Sequence, residues 1–254
     1  MTDLHFETAG SGPRVLLVQG VGVAGCGWAP QVEGLKDAFE LAWFDNRGVG
    51  ASPGVPGTME DMARAALEVM DALGWESASL VGHSLGGVIA QQVRVLAPER
   101  VERLGMLCTF AKGRSALSLE ISDLWANLRT MVGTYGMRRR AFYELVSDPT
   151  RPPTDENLAE LESAFGRDLT ALPGAATAQL RALLATDLRE ALSAMEPVPS
   201  LVVSAKRDRL APVSQGPLLS AALRATYVEV PGGHAVPVQD APRINALLRE
   251  LLAP

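Results

Sequence analysis

The sequence predicts an α/β protein, a mostly parallel sheet flanked by helices, and three observations carry that reading. Short β-type apolar runs alternate with longer helical patterns. One of those runs leads straight into Gly82-His-Ser84-Leu-Gly86 and out into a buried helical pattern. The alternation then stops over one long stretch before strands resume. With 254 residues, 47% apolar and 20% charged, the chain can build a sizeable core and is too apolar for a disordered one.

In order, Leu4–Thr8 reads as a weak edge strand and Arg14–Gln19 as a compact buried strand that ends in glycine. Phe39–Phe44 is the next strand, followed by Ala78–Gly82 and Arg103–Cys108. After a long gap come Ser200–Ser204 and Thr226–Val230. Between them, Thr58–Leu73 places Met59, Met62, Ala66, Val69, Met70 and Leu73 three and four apart, one apolar stripe, and Gly74 stops it. Leu85–Leu96 is apolar nearly all round, as a helix buried against a sheet should be, and Pro98 follows its end. Asp240–Leu252 is amphipathic, with Asp240 placed as its N-cap. Residues 113–190 carry helical patterns (Leu119–Met131, Met137–Val146, Glu156–Phe165, Ala175–Leu184) and no strand, so they read as a helical lid inserted into a core of residues 1–112 and 191–254.

A formal charge of −6 is the wrong sign for binding a phosphate backbone, so no nucleic-acid partner is expected. Cys26 and Cys108 cannot make a disulfide framework, and three histidines without HExxH spacing argue against a dedicated metal centre. No segment approaches the ~20 apolar residues that span a bilayer, and Met1–Glu7 lacks a signal-peptide pattern. The expectation is a cytoplasmic protein with no cofactor, acting on a small molecule; the oligomeric state is not legible.

The chemistry centres on Ser84. G-x-S-x-G is a modest signal alone, but here it joins a strand to a helix, a setting that exposes the hydroxyl at the sheet's C-terminal edge with a helix N-terminus behind it. The plainer reading is a serine N-cap. A serine nucleophile needs a base, and His234, in the loop between the last strand and the last helix, lies at that same edge. His5 sits in the weak first strand, and His83 adjoins the serine with its side chain directed away. The orienting acid should follow a strand and precede the histidine, which favours Asp208 over its competitors Asp187 and Asp240, although Arg207 and Arg209 could simply pair with it on the surface. An oxyanion hole needs two backbone N–H groups; the residue after the nucleophile, Leu85, supplies one, and the glycine-rich loop Gln19–Gly27 should supply the other. That loop reaches G-x-G-x-x-G spacing at Gly25, but Trp28-Ala-Pro30 argues against the helix a nucleotide cradle needs next.

The order Ser84, Asp208, His234 in these contexts resembles the α/β-hydrolase superfamily over nearly the whole chain. Asp45-Asn-Arg-Gly-Val-Gly-Ala-Ser52 is similar to that family's Asp-x-Arg-Gly-x-Gly-x-Ser turn, Pro98-Glu-Arg-Val101 to its lead-in to the next strand, and Gln19-Gly-Val-Gly to its oxyanion loop, with Gln19 where histidine is usual. The nearest likeness is to small capped esterases and 3-oxoadipate enol-lactonases. It implies the α/β-hydrolase fold with a helical cap inserted after the sixth strand, Val21 N–H as the partner of Leu85 N–H, and hydrolysis of a carboxylic ester or lactone through an acyl-enzyme. Two alternatives stay open: the same triad used for cofactor-free perhydrolase or haloperoxidase, carbon–carbon hydrolase or lyase chemistry, and a non-catalytic binding protein on the same fold.

Overall fold

In β2 (Arg14–Val18) successive side chains point to opposite faces of the sheet, and both faces are buried. Val15 and Leu17 belong to one apolar cluster, Leu16 and Val18 to another. A strand with two apolar faces needs helices on both sides, and that requirement organises the molecule.

The computed structural model describes residues 2–116, 128–171 and 173–253. Its sheet runs β1-β3-β2-β4-β5-β6-β7, with β1 (Phe6–Ala9), β3 (Glu40–Phe44), β4 (Ala78–His83), β5 (Val101–Leu107), β6 (Ser200–Ala205) and β7 (Thr226–Val230). Only β1 is antiparallel, pairing Phe6 with Phe44; every other neighbour pair is parallel. The α-helices described in full are α1 (Ala29–Leu35), α2 (Met59–Ala72), α3 (Leu85–Leu96), α4 (Tyr135–Val146), α5 (Asp155–Phe165), α6 (Ala175–Ala185), α7 (Arg189–Ala194), α8 (Gln215–Leu223), α9 (Val236–Gln239) and α10 (Ala241–Leu252). No helix among the described residues is long and apolar enough to cross a membrane.

Helices α2 and α3 bury their apolar stripes on one face, with Met62, Val69, Val88 and Ile89 against Leu16, Leu80 and Met106. Helix α10 covers the other, where Ile244, Leu248 and Leu252 join Val81, Leu107 and Val203. Thr58 caps α2 reciprocally: its hydroxyl accepts from Asp61 N–H at 3.1 Å while the Asp61 carboxylate accepts from Thr58 N–H at 2.8 Å.

Two expectations need correction, and a third, the placing of Asp240, holds. The helical insertion follows the fifth strand rather than the sixth, because only β1 precedes the first buried strand. A helix does begin soon after the glycine-rich loop: Gly25–Trp28 forms a 3₁₀ turn and α1 follows, with Pro30 in the first turn, where its missing N–H would have had no partner. Asp240 stands at the N-cap of α10, yet its side chain makes no capping bond and pairs with Arg243 at 2.7 Å. Within the insertion, α4, α5 and α6 match the expected patterns within two residues, whereas most of Leu119–Met131, with Trp125, lies outside the described residues. The insertion packs an apolar cluster built on Tyr143, Leu158, Leu161 and Phe165 that also takes in Val23 and Ala235 from outside it, and the isolated bridge Lys112–Asp187 joins its two ends. Arg139, one of three adjacent arginines, grips Glu162 with two bonds at 2.7 and 2.5 Å and so ties α4 to α5.

The start of α3 leaves no room for side chains. A Cβ on Gly86 would lie 1.9 Å from the Val18 carbonyl oxygen, whereas one on Gly136 in α4 would meet nothing within 4 Å. Gly86→Ala should therefore lower stability by about 3 kcal/mol or more, while Gly136→Ala should raise it by about 0.5–1 kcal/mol; urea denaturation midpoints check both.

Candidate active site

Strand β4 ends at His83, and Ser84 takes φ 55° and ψ −121° before α3 begins at Leu85. A non-glycine residue rarely adopts such a backbone, and local bonds hold it there. Ser84 N–H donates to Leu107 C=O at 3.0 Å, and the Thr109 hydroxyl donates to Ser84 C=O at 2.6 Å. The N–H groups of the first turn of α3 point toward the same edge.

Register brings the other parts alongside. Val18 pairs with Gly82, so the loop two residues past Val18 faces the residue two past Gly82; a Cβ on Gly20 would sit 3.2 Å from Ser84 Cβ and 3.7 Å from its Oγ. Gln19, the departure from the family pattern, turns its side-chain oxygen onto Gly20 N–H at 3.1 Å. Next along the loop is Val21, half-buried, and among the described residues neither Val21 N–H nor Leu85 N–H has a hydrogen-bond partner.

Asp208 follows β6 and His234 follows β7, and the parallel sheet delivers both to this edge. The Asp208 side chain is fully buried. Its Oδ2 accepts from His234 Nδ1 at 2.8 Å, and its Oδ1 accepts from the N–H groups of Leu210 and Ala211, each at 2.8 Å. Arg207 pairs with Asp148 instead, at 2.6 Å. The competing carboxylates are engaged elsewhere, Asp187 with Arg189 and Asp240 with Arg243. Asp208 holding His234 Nδ1 leaves Nε2 as the nitrogen free to work as a base. Ser84 Oγ makes no hydrogen bond among the described residues, so the structure joins Asp208 to His234 but shows no bond from Ser84 to His234. His5 lies at the far side of the sheet, beside Glu7 on the edge strand.

Two residues matter more than sequence reasoning gave them. The His83 side chain reaches across to His234: its ring lies 4.8 Å from the His234 ring, and its Nε2 donates to the His234 backbone carbonyl at 2.9 Å. Cys108 follows β5 with φ 47° and is buried beside them. Burial, with the Asp208 charge nearby, pushes its thiol well above the usual range, so it stays protonated. His83, Cys108 and His234 offer donor atoms within 4.8 Å of one another, the nearest approach to a metal site among the described residues. His83 Nε2 is bonded to a carbonyl and His234 Nδ1 to Asp208. A G-H-S-L-G motif shows that a histidine precedes the serine, but not that its ring folds onto the loop after the last strand.

Burial, and secondarily the charge of His234, push the His83 imidazole down to about 3. An unfolded chain binds that proton near pH 6.5 and the folded one only near 3, so this group's contribution to stability is complete above 6.5 and is lost as pH falls toward 3. His83→Asn should flatten the stability–pH curve between about pH 4 and 6 by roughly 1 kcal/mol per pH unit relative to the parent, read from urea unfolding at each pH.

The family model described as alpha/beta hydrolase fold matches residues 13–241. A protein of Azorhizobium caulinodans named as a carbamate hydrolase, RutD, is 32% identical over 92% of this chain and 88% of its own length. A pimeloyl-[acyl-carrier protein] methyl ester esterase of Vibrio campbellii is 28% identical over 89% of this chain and 88% of its own. Among solved structures, a Mycobacterium tuberculosis H37Rv protein named as a non-heme bromoperoxidase, BpoC, superposes with a TM-score of 0.85 at 23% identity, covering 99% of this chain and 96% of that one. An enol-lactonase from Burkholderia xenovorans LB400 does so at 0.78 and 24%, with the same coverage. The family match spans about nine-tenths of the sequence, and the chain belongs to the alpha/beta hydrolase fold family.

Proposed function

We propose that this protein is a serine hydrolase that cleaves a carboxylic ester or lactone of a small molecule, with Ser84 as nucleophile, His234 as general base and Asp208 as orienting acid. The observation that carries the reading is the buried 2.8 Å bond between Asp208 Oδ2 and His234 Nδ1 at the sheet edge that also holds Ser84 in its strained turn. His234 Nε2 takes the Ser84 proton as Oγ attacks the acyl carbon, and Asp208 stabilises the imidazolium that results. Negative charge gathers on the substrate oxygen, where the N–H groups of Val21 and Leu85 receive it. The imidazolium then gives its proton to the departing alcohol oxygen. Water, deprotonated by the same nitrogen, attacks the acyl-enzyme; the tetrahedral species collapses, the carboxylic acid leaves and Ser84 Oγ regains its proton.

Residues 113–190 act as the cap over this site. The names of the relatives support acyl-carbon chemistry, since a carbamate and a methyl ester both present a carbonyl with a heteroatom leaving group. Serine at the nucleophile position fits an ester-forming intermediate.

A fluorophosphonate probe should label the parent protein, and Ser84→Ala should abolish both labelling and turnover of p-nitrophenyl acetate; equal labelling of the two proteins would refute the nucleophile. Labelling without turnover of any ester or lactone would move the reading to another chemistry of the same triad. Asp208→Asn should lower kcat by about four orders of magnitude, as removal of a triad acid does elsewhere. Asp187→Asn and Asp240→Asn should stay within a few-fold of the parent, and steady-state kinetics of the three variants identifies the acid.

A further inference from the structure

The loop that carries Val21 is held from outside itself. Around Val21 its own backbone supplies one long bond, Val23 N–H to Gly20 C=O at 3.4 Å, with the 3.0 Å bond from Gly27 N–H to Ala24 C=O lying further along. Both polar groups of the next residue, Gly22, are taken by the helical insertion: Gly22 N–H donates to Gln179 Oε1 at 2.9 Å, and Gly22 C=O accepts from Arg167 Nε at 2.9 Å. Gly22 has φ +64°, and a Cβ there would meet Pro173 Cδ at 3.0 Å, so the insertion also packs against it. On the other side Gly20 N–H is held by Gln19. Val21 N–H therefore lies between two fixed points, one made within the loop by Gln19, just past the end of β2, and one made by the insertion.

We infer that Gln179 and Arg167 are positioning residues that aim the Val21 N–H, so that the seating of the insertion assembles the oxyanion hole. This rests on the reading of Val21 and Leu85 as that hole. Both side chains look built for the task. Gln179 is fully buried in the middle of α6, and its Nε2 has no partner among the described residues. A buried amide that leaves its own donor unsatisfied is a cost that leucine would avoid, and its one bond is to Gly22. Arg167 leaves α5 just after Gly166, whose φ of 64° turns the chain back. Its guanidinium lies over the rings of Phe142 and Phe165, 5.5 and 5.8 Å from their centroids, and it donates to carbonyls alone: Gly22, Asp168 and Ala171. A cation packed against an edge-to-face pair of rings is a well-held anchor, and its only bond outside the insertion is to the Val21 loop.

An oxyanion donor must sit about 2.7–3.1 Å from the developing charge, and losing one costs about 10²–10³ in kcat, so mis-aiming Val21 N–H should cost roughly 10–100-fold. Gln179→Leu removes the acceptor while relieving the unsatisfied amide; Gln179→Glu keeps the acceptor. On p-nitrophenyl acetate, Gln179→Leu should lower kcat by about 10–100-fold with KM within about threefold, and a boronic acid that forms a tetrahedral adduct should bind less tightly by a similar factor. Gln179→Glu should recover most of the loss, and Tm should change little. If Gln179→Leu does not fold, Arg167→Met tests the other clamp by the same readouts. Parent-like kcat in folded Gln179→Leu and Arg167→Met overturns the inference, as does a loss of kcat that tracks Tm while boronic acid affinity stays unchanged. Ser84→Ala, assayed in parallel, separates the two failures. If it is inactive and the clamp variants are normal, only this inference falls; if it remains active, the triad reading and this inference fall together.

Discussion

The backbone of Ser84 is the constraint from which the rest follows. A residue at φ 55° and ψ −121° costs of order 1–3 kcal/mol and persists only where its surroundings over-determine it. Here they do so at close range. The bonds from Ser84 N–H to Leu107 and from Thr109 to Ser84 C=O fix the peptide on each side. Gly82, Gly86 and Gly87 let α3 start hard against β2 and β5, where any Cβ would lie within 2.6 Å of a neighbouring atom. The two glycines of the G-x-S-x-G motif are thus answers to packing, and the half-buried serine at the sheet edge is the by-product of a chain with no other way to turn.

Parallel register converts that turn into a site. His83 pairs with Leu107 and Leu107 with Val203, so the residues just past these strands, Ser84, Cys108 and the segment leading to Asp208, emerge in a row. Ala205 pairs with Val230, which brings the loop bearing His234 next in line. Ser84 and Cys108 both leave their strands with positive φ, a sign that the sheet edge here is shaped at two adjacent positions. Groups more than a hundred residues apart need no long-range coincidence to meet; they need strands that end together.

What the sequence could disclose follows from the same physics. Strands β2 and β4 and helix α3 were legible because burial on both sides demands apolar residues at nearly every position, and Ser84 because a strand–turn–helix of that shortness demands glycine on either side. Asp208 and His234 were legible by their place after strands. The roles of His83, Gln179 and Arg167 were not, because each acts on a backbone atom of a residue far along the chain: His83 on the His234 carbonyl, the others on Gly22. A backbone partner leaves no mark of its own in the sequence. Pro30 misled for a related reason, since its effect depends on whether it falls inside a helix or in its first turn.

The electrostatics of the edge then follow from which of these groups can carry charge. Burial keeps the His83 ring neutral and the Cys108 thiol protonated. Neither can compete with His234 for the Asp208 carboxylate as a cation, and neither adds an anion beside it. The carboxylate's other oxygen is satisfied by two backbone N–H groups, and its flanking Arg207 is drawn off to Asp148. A proton arriving at His234 therefore meets one negative charge at 2.8 Å, unscreened by a rival cation from that neighbour. If Arg207 paired with Asp208 instead, a protonated His234 in the proposed mechanism would lose part of its stabilisation. The Arg207–Asp148 bond ties a residue beside the acid to the insertion, so the segment that holds Gly22 also keeps a competing charge away from Asp208.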